Sequence, residues 1–366
     1  MAIKNHGISP DLLIHPGETI ADLLEERGIT QKELAQRAGV SEAFLSDVIH
    51  GKKDISKGLA MGLEYAVGVP SSFWLNLQAN YDAELMSFLE EESIEEEERS
   101  VLSVISEVVD FLKKRSIIGK DWTQEQTIIE LRKFFRVSRL TGLSTLAPTG
   151  AFRMSDRAAV NPYVLGAWLC LCKAQSSDKL IDASFDLDCV NELVSDIKTV
   201  MLRNHGDFRK ELTELFRKCG IDFSIVHNFR GAPVHGYIAG KDNGTYQLVL
   251  TLRGAFADII WFSLFHELGH IVNGDVTKSG SYIDTENSAD ERREKAADTF
   301  ASDALLNRES YQAFIENDDF SYSAIRNYAQ EQRVPPFIVI GRLQKEGIIP
   351  WNWYQKYKLR YKWAKE

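Results

Sequence analysis

Cysteine is scarce in this 366-residue chain: Cys170, Cys172, Cys189 and Cys219 are all there is, and no two form a CxxC pair. That spacing sets aside paired-cysteine chemistry and leaves reduced, packing thiols as the expectation. Long apolar runs are missing too. No stretch of about 18 apolar residues occurs, so no membrane-spanning helix is expected. The N-terminal MAIKNHGISPDLLIHPGE has no apolar core of the kind a secretory leader needs, which points to a cytoplasmic protein. Positive charge is also in deficit. With 43 Lys and Arg against 53 Asp and Glu, the net charge of -10 argues against coating nucleic acid without specificity, while leaving room for a local basic patch. What is present is ordinary for a globular protein, 44% apolar and 26% charged. The length calls for two or three domains rather than one core.

Composition divides the chain into zones. Residues 1–85 read as short helices separated by tight turns. Residues 86–118 begin with a glutamate run (Glu90, Glu91, Glu92, Glu95, Glu96, Glu97, Glu98). Apolar residues at helical spacing follow: Val101, Leu102, Ile105, Val108, Val109 and Leu112. No Pro or Gly interrupts residues 71–118, so a helical connector is expected rather than a tether. Residues 119–222 form a helical middle region, with a break at Pro148–Gly150. From 223 the period changes. Phe223, Ile225 and Val226, then Val234, Tyr237 and Ile238, then Tyr246, Leu248, Val249 and Leu250 predict three short strands, punctuated by Gly231, Pro233, Gly240 and Asn243-Gly244. Helices resume after them. The expected fold is therefore multidomain: an all-α helix-turn-helix domain, a helical middle region, and an α+β domain with a small sheet over 223–366.

The strongest chemical signal lies in DIIWFSLFHELGHIV, an apolar helix carrying one polar cluster. His266 and His270 are four apart and share one helical face, so both imidazoles can reach one ion. Glu267 sits about 100° away around the helix, where it can hold a water and act as general base. Neutral imidazole nitrogen suits Zn2+, and a catalytic zinc keeps three protein ligands and an open position. ERREKAADTFASDALL offers the third ligand. Glu294 is preferred, because Asp298 one turn later can accept the second N–H of a ligand histidine; Glu291 and Asp290 are the alternatives. The chemistry implied is metal-assisted hydrolysis. The strands before this helix would supply an edge for an extended peptide. His235, or Tyr237, in VHGYIAG would stabilise the oxyanion, unless His235 is simply a satisfied strand residue.

GITQKELAQRAGVSEAFLSDVIHGKK has the layout of a helix-turn-helix. Thr30 would cap a helix over Gln31–Ala38, with Glu33 completing a capping box. Gly39 makes the turn, and Ser41 caps the next helix. There Phe44, Leu45 and Val48 face inward. Glu42, Ala43, Ser46 and Asp47 are left where base edges are read, and Gln31, Lys52 and Lys53 where phosphates lie. Charge works against tight binding. Residues 1–85 hold seven Lys or Arg against twelve Asp or Glu, so one domain alone binds DNA weakly and a homodimer on two half-sites would help. A protein-binding helical bundle without DNA affinity is the alternative.

At these residues the chain resembles known families. HPGETIADLLEERGITQKELAQRAGVSEAFLSDVIHGKK followed by SSFWLNLQANYD resembles the HigA-type antitoxins of the XRE helix-turn-helix family. IIWFSLFHELGHIVNGD with EKAADTFASDALL resembles the ImmA/IrrE metallopeptidases. LRKFFRVS, AFRMS, NPYVLGAWL and VPPFIVIGRLQKEG look like the fused form of that family. The resemblance implies a zincin-like (gluzincin) fold, with His266, His270 and Glu294 matching the zinc ligands, Glu267 the base and Asp298 the acid behind them. It implies cleavage of XRE-type repressors for the protease, and operator DNA and a toxin partner for the antitoxin part. The contrasting reading is an antitoxin and repressor whose metal domain senses or binds without proteolysis. Departures are the acidic recognition helix, and Asn307 where members often carry Met-Pro.

Two late segments allow two readings each. AIRNYAQEQRVPPFIVIGRLQKEG has the shape of a second helix-turn-helix, with packing against the protease domain as its expected role. WNWYQKYKLRYKWAKE combines five Lys or Arg with six aromatics. That suits a nucleic-acid contact, or aromatics anchoring the terminus with Lys stems over apolar surface.

Overall fold

The computed structural model describes residues 13–147, 160–176, 181, 184–203, 207–253, 256–277, 280–285 and 291–363. The Pro148–Gly150 break, the AFRMS segment and Asp290 lie outside these described residues. The chain forms two compact units, Met1–Arg99 with Asp121–Glu130, and Ser100–Lys120 with Leu131–Glu366. The helices read as a middle region thus share a unit, for the most part, with the sheet.

In the first unit α1 (Pro16–Arg27), α2 (Gln31–Ala38), α3 (Glu42–Ile49), α4 (Lys57–Val67) and α5 (Ser71–Glu92) follow one another. Thr30 Oγ1 accepts from the Glu33 amide at 3.2 Å and Ser41 Oγ from the Phe44 amide at 3.1 Å. Each hydroxyl satisfies an amide that the helix start leaves without an intrahelical partner. Gly39, at φ +71°, closes α2 in the left-handed region. The Glu33 carboxylate turns to Arg37 at 2.6 Å rather than completing a box with Thr30. Leu34, Leu45, Val48, Leu63 and Trp74 are fully buried in one core. Phe44 is only half-buried, with the Lys53 amine 5.4 Å above its ring.

The connector is three helices rather than one. Ser93 ends α5, its hydroxyl donating to the Glu90 carbonyl at 2.8 Å, a local bond that competes with helix continuation. The chain then re-enters α6 (Glu96–Val104) and α7 (Ser106–Lys114). Next come α8 (Gln124–Phe135), α9 (Leu143–Leu146), α10 (Pro162–Gln175), α11 (Val190–Arg203) and α12 (Arg209–Lys218). Cys189 and Cys219, expected as reduced thiols, are joined in a disulfide instead. The turn before α11 and the end of α12 bring their Cα atoms to 5.9 Å, a proximity that a separation of 30 residues does not advertise. Cys170 and Cys172 remain buried thiols, and burial pushes Cys170 up to about 11.

The three expected strands are β1 (Ile221–Val226), β2 (Val234–Gly240) and β3 (Tyr246–Thr251). A fourth, β4 (Ser281–Thr285), was not anticipated: it has five residues, three of them polar, and shows no clear alternation. The order is β1-β3-β2-β4, with β1 parallel to β3 and the other pairs antiparallel. The sheet's two edges are β1, which precedes the HELGH helix, and β4, which follows it and flanks β2. One face of the sheet carries that helix, α13 (Ala257–Val272), whose Trp261, Leu264 and Leu268 share a core with Ile238, Leu248 and Leu250. The other face meets α10, where Trp168 packs on Tyr237 at 6.2 Å and Gln247 donates to the Cys172 carbonyl at 2.7 Å.

Helices α14 (Glu291–Leu305), α15 (Arg308–Glu316), α16 (Tyr322–Glu331) and α17 (Pro336–Lys345) complete the unit. The second helix-turn-helix-like segment packs inward, with Ile325, Ile340 and Leu343 fully buried in the core of α13. The aromatic-basic tail is likewise a packing element. Leu359 accepts from the Ala257 amide at 2.9 Å, and Trp261 Nε1 donates to the Tyr361 hydroxyl at 2.9 Å. Among the described residues, no helix is long and apolar enough to cross a membrane.

Candidate metal centre

Two helices make the site. Gly269 sits between the histidines of α13 where α14 comes closest: a Cβ there would lie 3.1 Å from Ala297 Cα. The glycine lets the two backbones approach, and α14 then presents Glu294 and Asp298 from the turns flanking Ala297. His266 Nε2 and His270 Nε2 are 3.1 Å apart, and Glu294 reaches them at 3.2 and 3.7 Å. One donor atom from each of the three residues falls within 4.8 Å of the others. His270 is fully buried and His266 is 6% exposed.

Each imidazole is held from behind. His266 Nδ1 donates to Asp298 Oδ1 at 2.9 Å, and His270 Nδ1 donates to Asp275 Oδ2 at 2.8 Å. An ionised carboxylate only accepts, so the protons belong on Nδ1 and the Nε2 lone pairs face Glu294 and each other. Three converging acceptors form a donor set that a cation at their centre satisfies, and borderline imidazole nitrogen with one carboxylate oxygen fits zinc. Burial alone would raise the Asp298 carboxyl. The His266 hydrogen bond and the Lys345 charge outweigh it and hold the group below the ordinary carboxylate range.

Asp275 was missed in the sequence. It lies in the Asn273-Gly274-Asp275 turn that ends α13, its amide donating to the His270 carbonyl at 3.0 Å. The available signal was an acid five residues beyond a candidate ligand, where a turn can fold it back. Gly236 was missed as well. A Cβ there would fall 1.9 Å from Glu267 Oε1, so the fully buried Glu267 carboxylate rests against bare backbone of β2.

His235 is half-buried at the bulge between Val234 and Gly236, where the register with β4 shifts. Tyr237, the other oxyanion candidate, lies elsewhere. Neighbouring strand residues point to opposite faces; Gly236 faces α13, and Tyr237 packs on Trp168 of α10, its hydroxyl pushed up to about 12 by burial. Glu291, an alternative ligand, is exposed at the start of α14.

In the helix-turn-helix, Glu42 and Ala43 are exposed, whereas Ser46 and Asp47 are half-buried. The Ser41 hydroxyl is engaged as a cap, and Gln31 Nε2 donates to the Glu42 carbonyl at 3.2 Å. Lys52 and Lys53 are exposed, but Lys53 is paired with Asp47 at 2.9 Å, and that bond lowers the Asp47 carboxyl below its ordinary value.

The chain is similar to known proteins over parts of its length. A curated relative, "Virulence-associated protein A'" from Dichelobacter nodosus, is 42% identical over 69 residues, which are 19% of this chain and 60% of the relative. The chain thus spans under two thirds of that protein. Among solved structures, the Pseudomonas aeruginosa antitoxin HigA with its higBA promoter is 31% identical, covering 23% of this chain and 96% of that one at a TM-score of 0.21. A HigA-family addiction module antidote protein from Coxiella burnetii is 26% identical, covering 22% and 95% at 0.20. Residues 20–74 match the helix-turn-helix family and residues 235–326 match the family Peptidase U49, so the chain holds a helix-turn-helix domain and a peptidase-family domain.

Proposed function

We propose that this chain is a DNA-linked zinc metalloendopeptidase that cuts a regulatory protein, a repressor or an antitoxin-like partner, in toxin–antitoxin, mobile-element or stress control. The observation that carries the reading is the convergence of His266, His270 and Glu294 within 4.8 Å, beside a buried glutamate and inside the segment that matches a peptidase family. In this reading those three residues hold zinc, which when bound supplies Lewis acidity for amide hydrolysis. Asp298 and Asp275 fix the tautomer and orientation of the two imidazoles. Glu267, pressed against Gly236, takes the proton of the attacking water and returns it to the leaving amine. His235, beside Gly236, would meet the developing negative charge.

The helix-turn-helix would bring the peptidase to operator DNA as a homodimer. Glu42, Ala43, Ser46 and Asp47 would face the bases from the helix that Ser41 caps, and Gln31, Lys52 and Lys53 the phosphates. The helix-turn-helix match leaves a second reading, an antitoxin or repressor whose metal domain senses without cutting. Zinc content and proteolysis, measured together on the wild type and Glu267→Gln against XRE-type repressors and a neighbouring toxin, separate the two. Zinc in both proteins with cleavage by the wild type alone supports the peptidase. Zinc with no cleavage of any partner supports the sensor. A wild type without stoichiometric zinc sinks both.

A further inference from the structure

Helix α13 is buried along nearly its whole length. Its exposed position is Ile259, at 37%, and Phe262 one turn later is half-buried. Residues 259, 262, 266 and 270 fall within one narrow face of the helix. An apolar stripe therefore runs along α13 straight into the two imidazoles, with the Phe262 ring 6.2 Å from that of His266. From Ile259 to His266 the helix rises about 10 Å, the reach of about three residues of extended peptide. Lys345, at the end of α17, flanks the stripe. Its amine stands 4.2 Å above the Phe262 ring and 3.9 Å from Asp298 Oδ2, and its side chain is 60% exposed.

We propose that Ile259, Phe262 and Lys345 form the substrate subsite beside the metal ligands, and that it takes an apolar side chain next to an acidic one. The inference rests on the peptidase reading and adds the substrate class. The apolar half follows from area: an exposed Ile and a half-exposed Phe gain from being covered. The acidic half follows from charge. Glu294, Asp298 and Asp275 line the centre and a bound zinc would offset only two of the three charges, so an acidic peptide gains only where its carboxylate meets a cation on the rim. An ammonium has three donors, and one contact with Asp298 leaves others for a ligand. Arg293 stands 3.9 Å from Asp275, the acid that holds His270.

The test uses the full chain carrying Glu267→Gln, loaded with zinc. Two fluorescein-labelled decapeptides, identical except for Leu-Asp or Leu-Lys at the centre, are titrated by fluorescence anisotropy at low salt. The acidic peptide binds about fivefold tighter, the scale of one exposed ion pair. Lys345→Glu reverses the order, and Ile259→Ser weakens both peptides without changing their ratio. Zinc is measured in each variant. If Lys345→Glu loses it, Lys345→Met takes its place and must abolish the preference.

Equal binding of the two peptides, no binding of either, or a ratio indifferent to Lys345 overturns the subsite. A preference that follows Lys345 while the Glu267 protein cuts nothing leaves the subsite standing and defeats the peptidase reading. Cleavage of a regulator with no effect of Lys345 does the reverse.

Discussion

Lys358 of the C-terminal tail reaches Asp258, in the first turn of the HELGH helix, across 2.7 Å, with 3% and 9% of the two side chains exposed. Lys358 also donates to Gln344 Oε1 at 3.0 Å, and Gln344 in turn holds the Trp351 and Trp353 carbonyls at 3.2 and 2.8 Å. An acid at a helix start is favoured by the helix dipole, but once buried it needs its cation. Lys358→Ala should cost about 3–5 kcal/mol, because it strands a buried carboxylate. Asp258→Asn combined with Lys358→Met should recover most of that loss. Urea unfolding of the singles and the double decides it, and a Lys358→Ala protein as stable as the wild type would show that the pair is not holding the tail.

Gly236→Ala tests the contact that seats Glu267, the proposed general base. The added Cβ would fall 1.9 Å from Glu267 Oε1, so strand or carboxylate must shift by an ångström or more. A displacement of that size at a reacting group can cost about 100-fold in rate. The candidate metal ligands are on other elements, so zinc should stay stoichiometric while turnover of the substrate collapses. An alanine variant with wild-type turnover would place Glu267 outside the chemistry.

Much of this centre was legible because helices have a period. Spacing of four put His266 and His270 on one face, and the same spacing put Glu294 and Asp298 together on α14. Gly269 and Ala297 mark where those faces meet, since both are small enough for backbones to touch. Turns carry no such period, which is why Asp275 went unread, although it plays the part for His270 that Asp298 plays for His266. A glycine in a strand, such as Gly236, looks like a weakness until its partner is known. β4 is too short to alternate visibly. The tail was ambiguous for a different reason: Lys and aromatic residues serve a nucleic acid or a protein core equally well, and the partnership of Lys358 with a residue 100 positions earlier leaves no local trace.

Asp275→Asn and Asp298→Asn should each weaken zinc binding about 10–100-fold, because each removes the charge that orients one imidazole and raises its basicity. The two act on different ligands through separate hydrogen bonds, so their effects should approximately multiply in the double variant. Competition with a chromogenic chelator reads the affinity directly and does not require a substrate. Should Asp275→Asn bind zinc as the wild type does while Asp298→Asn does not, the His270 side of the centre would be held by packing alone.

In the DNA-binding reading, Asp47 limits the strength of the DNA arm. Its carboxylate takes the Lys53 amine at 2.9 Å, and that hydrogen bond lowers its pKa below the ordinary carboxylate value. The depressed value keeps the Asp47 carboxylate ionised at neutral pH, and the pair loosens as pH falls through the acidic range. Across physiological pH, then, Lys53 carries a competitor for any phosphate. Asp47→Asn should release it and remove an acid from the groove-facing helix at the same time. One further phosphate contact per chain steepens the dependence of log K on log salt by about 0.9, so the variant should bind operator DNA more tightly at low salt and lose that advantage as salt rises. Lys53→Met in the same background should return the slope to its starting value. If Asp47→Asn tightens binding equally at all salt concentrations, the acid was acting on a base edge rather than through Lys53, and α3 would be reading sequence with the residue that its charge makes least suited to the task.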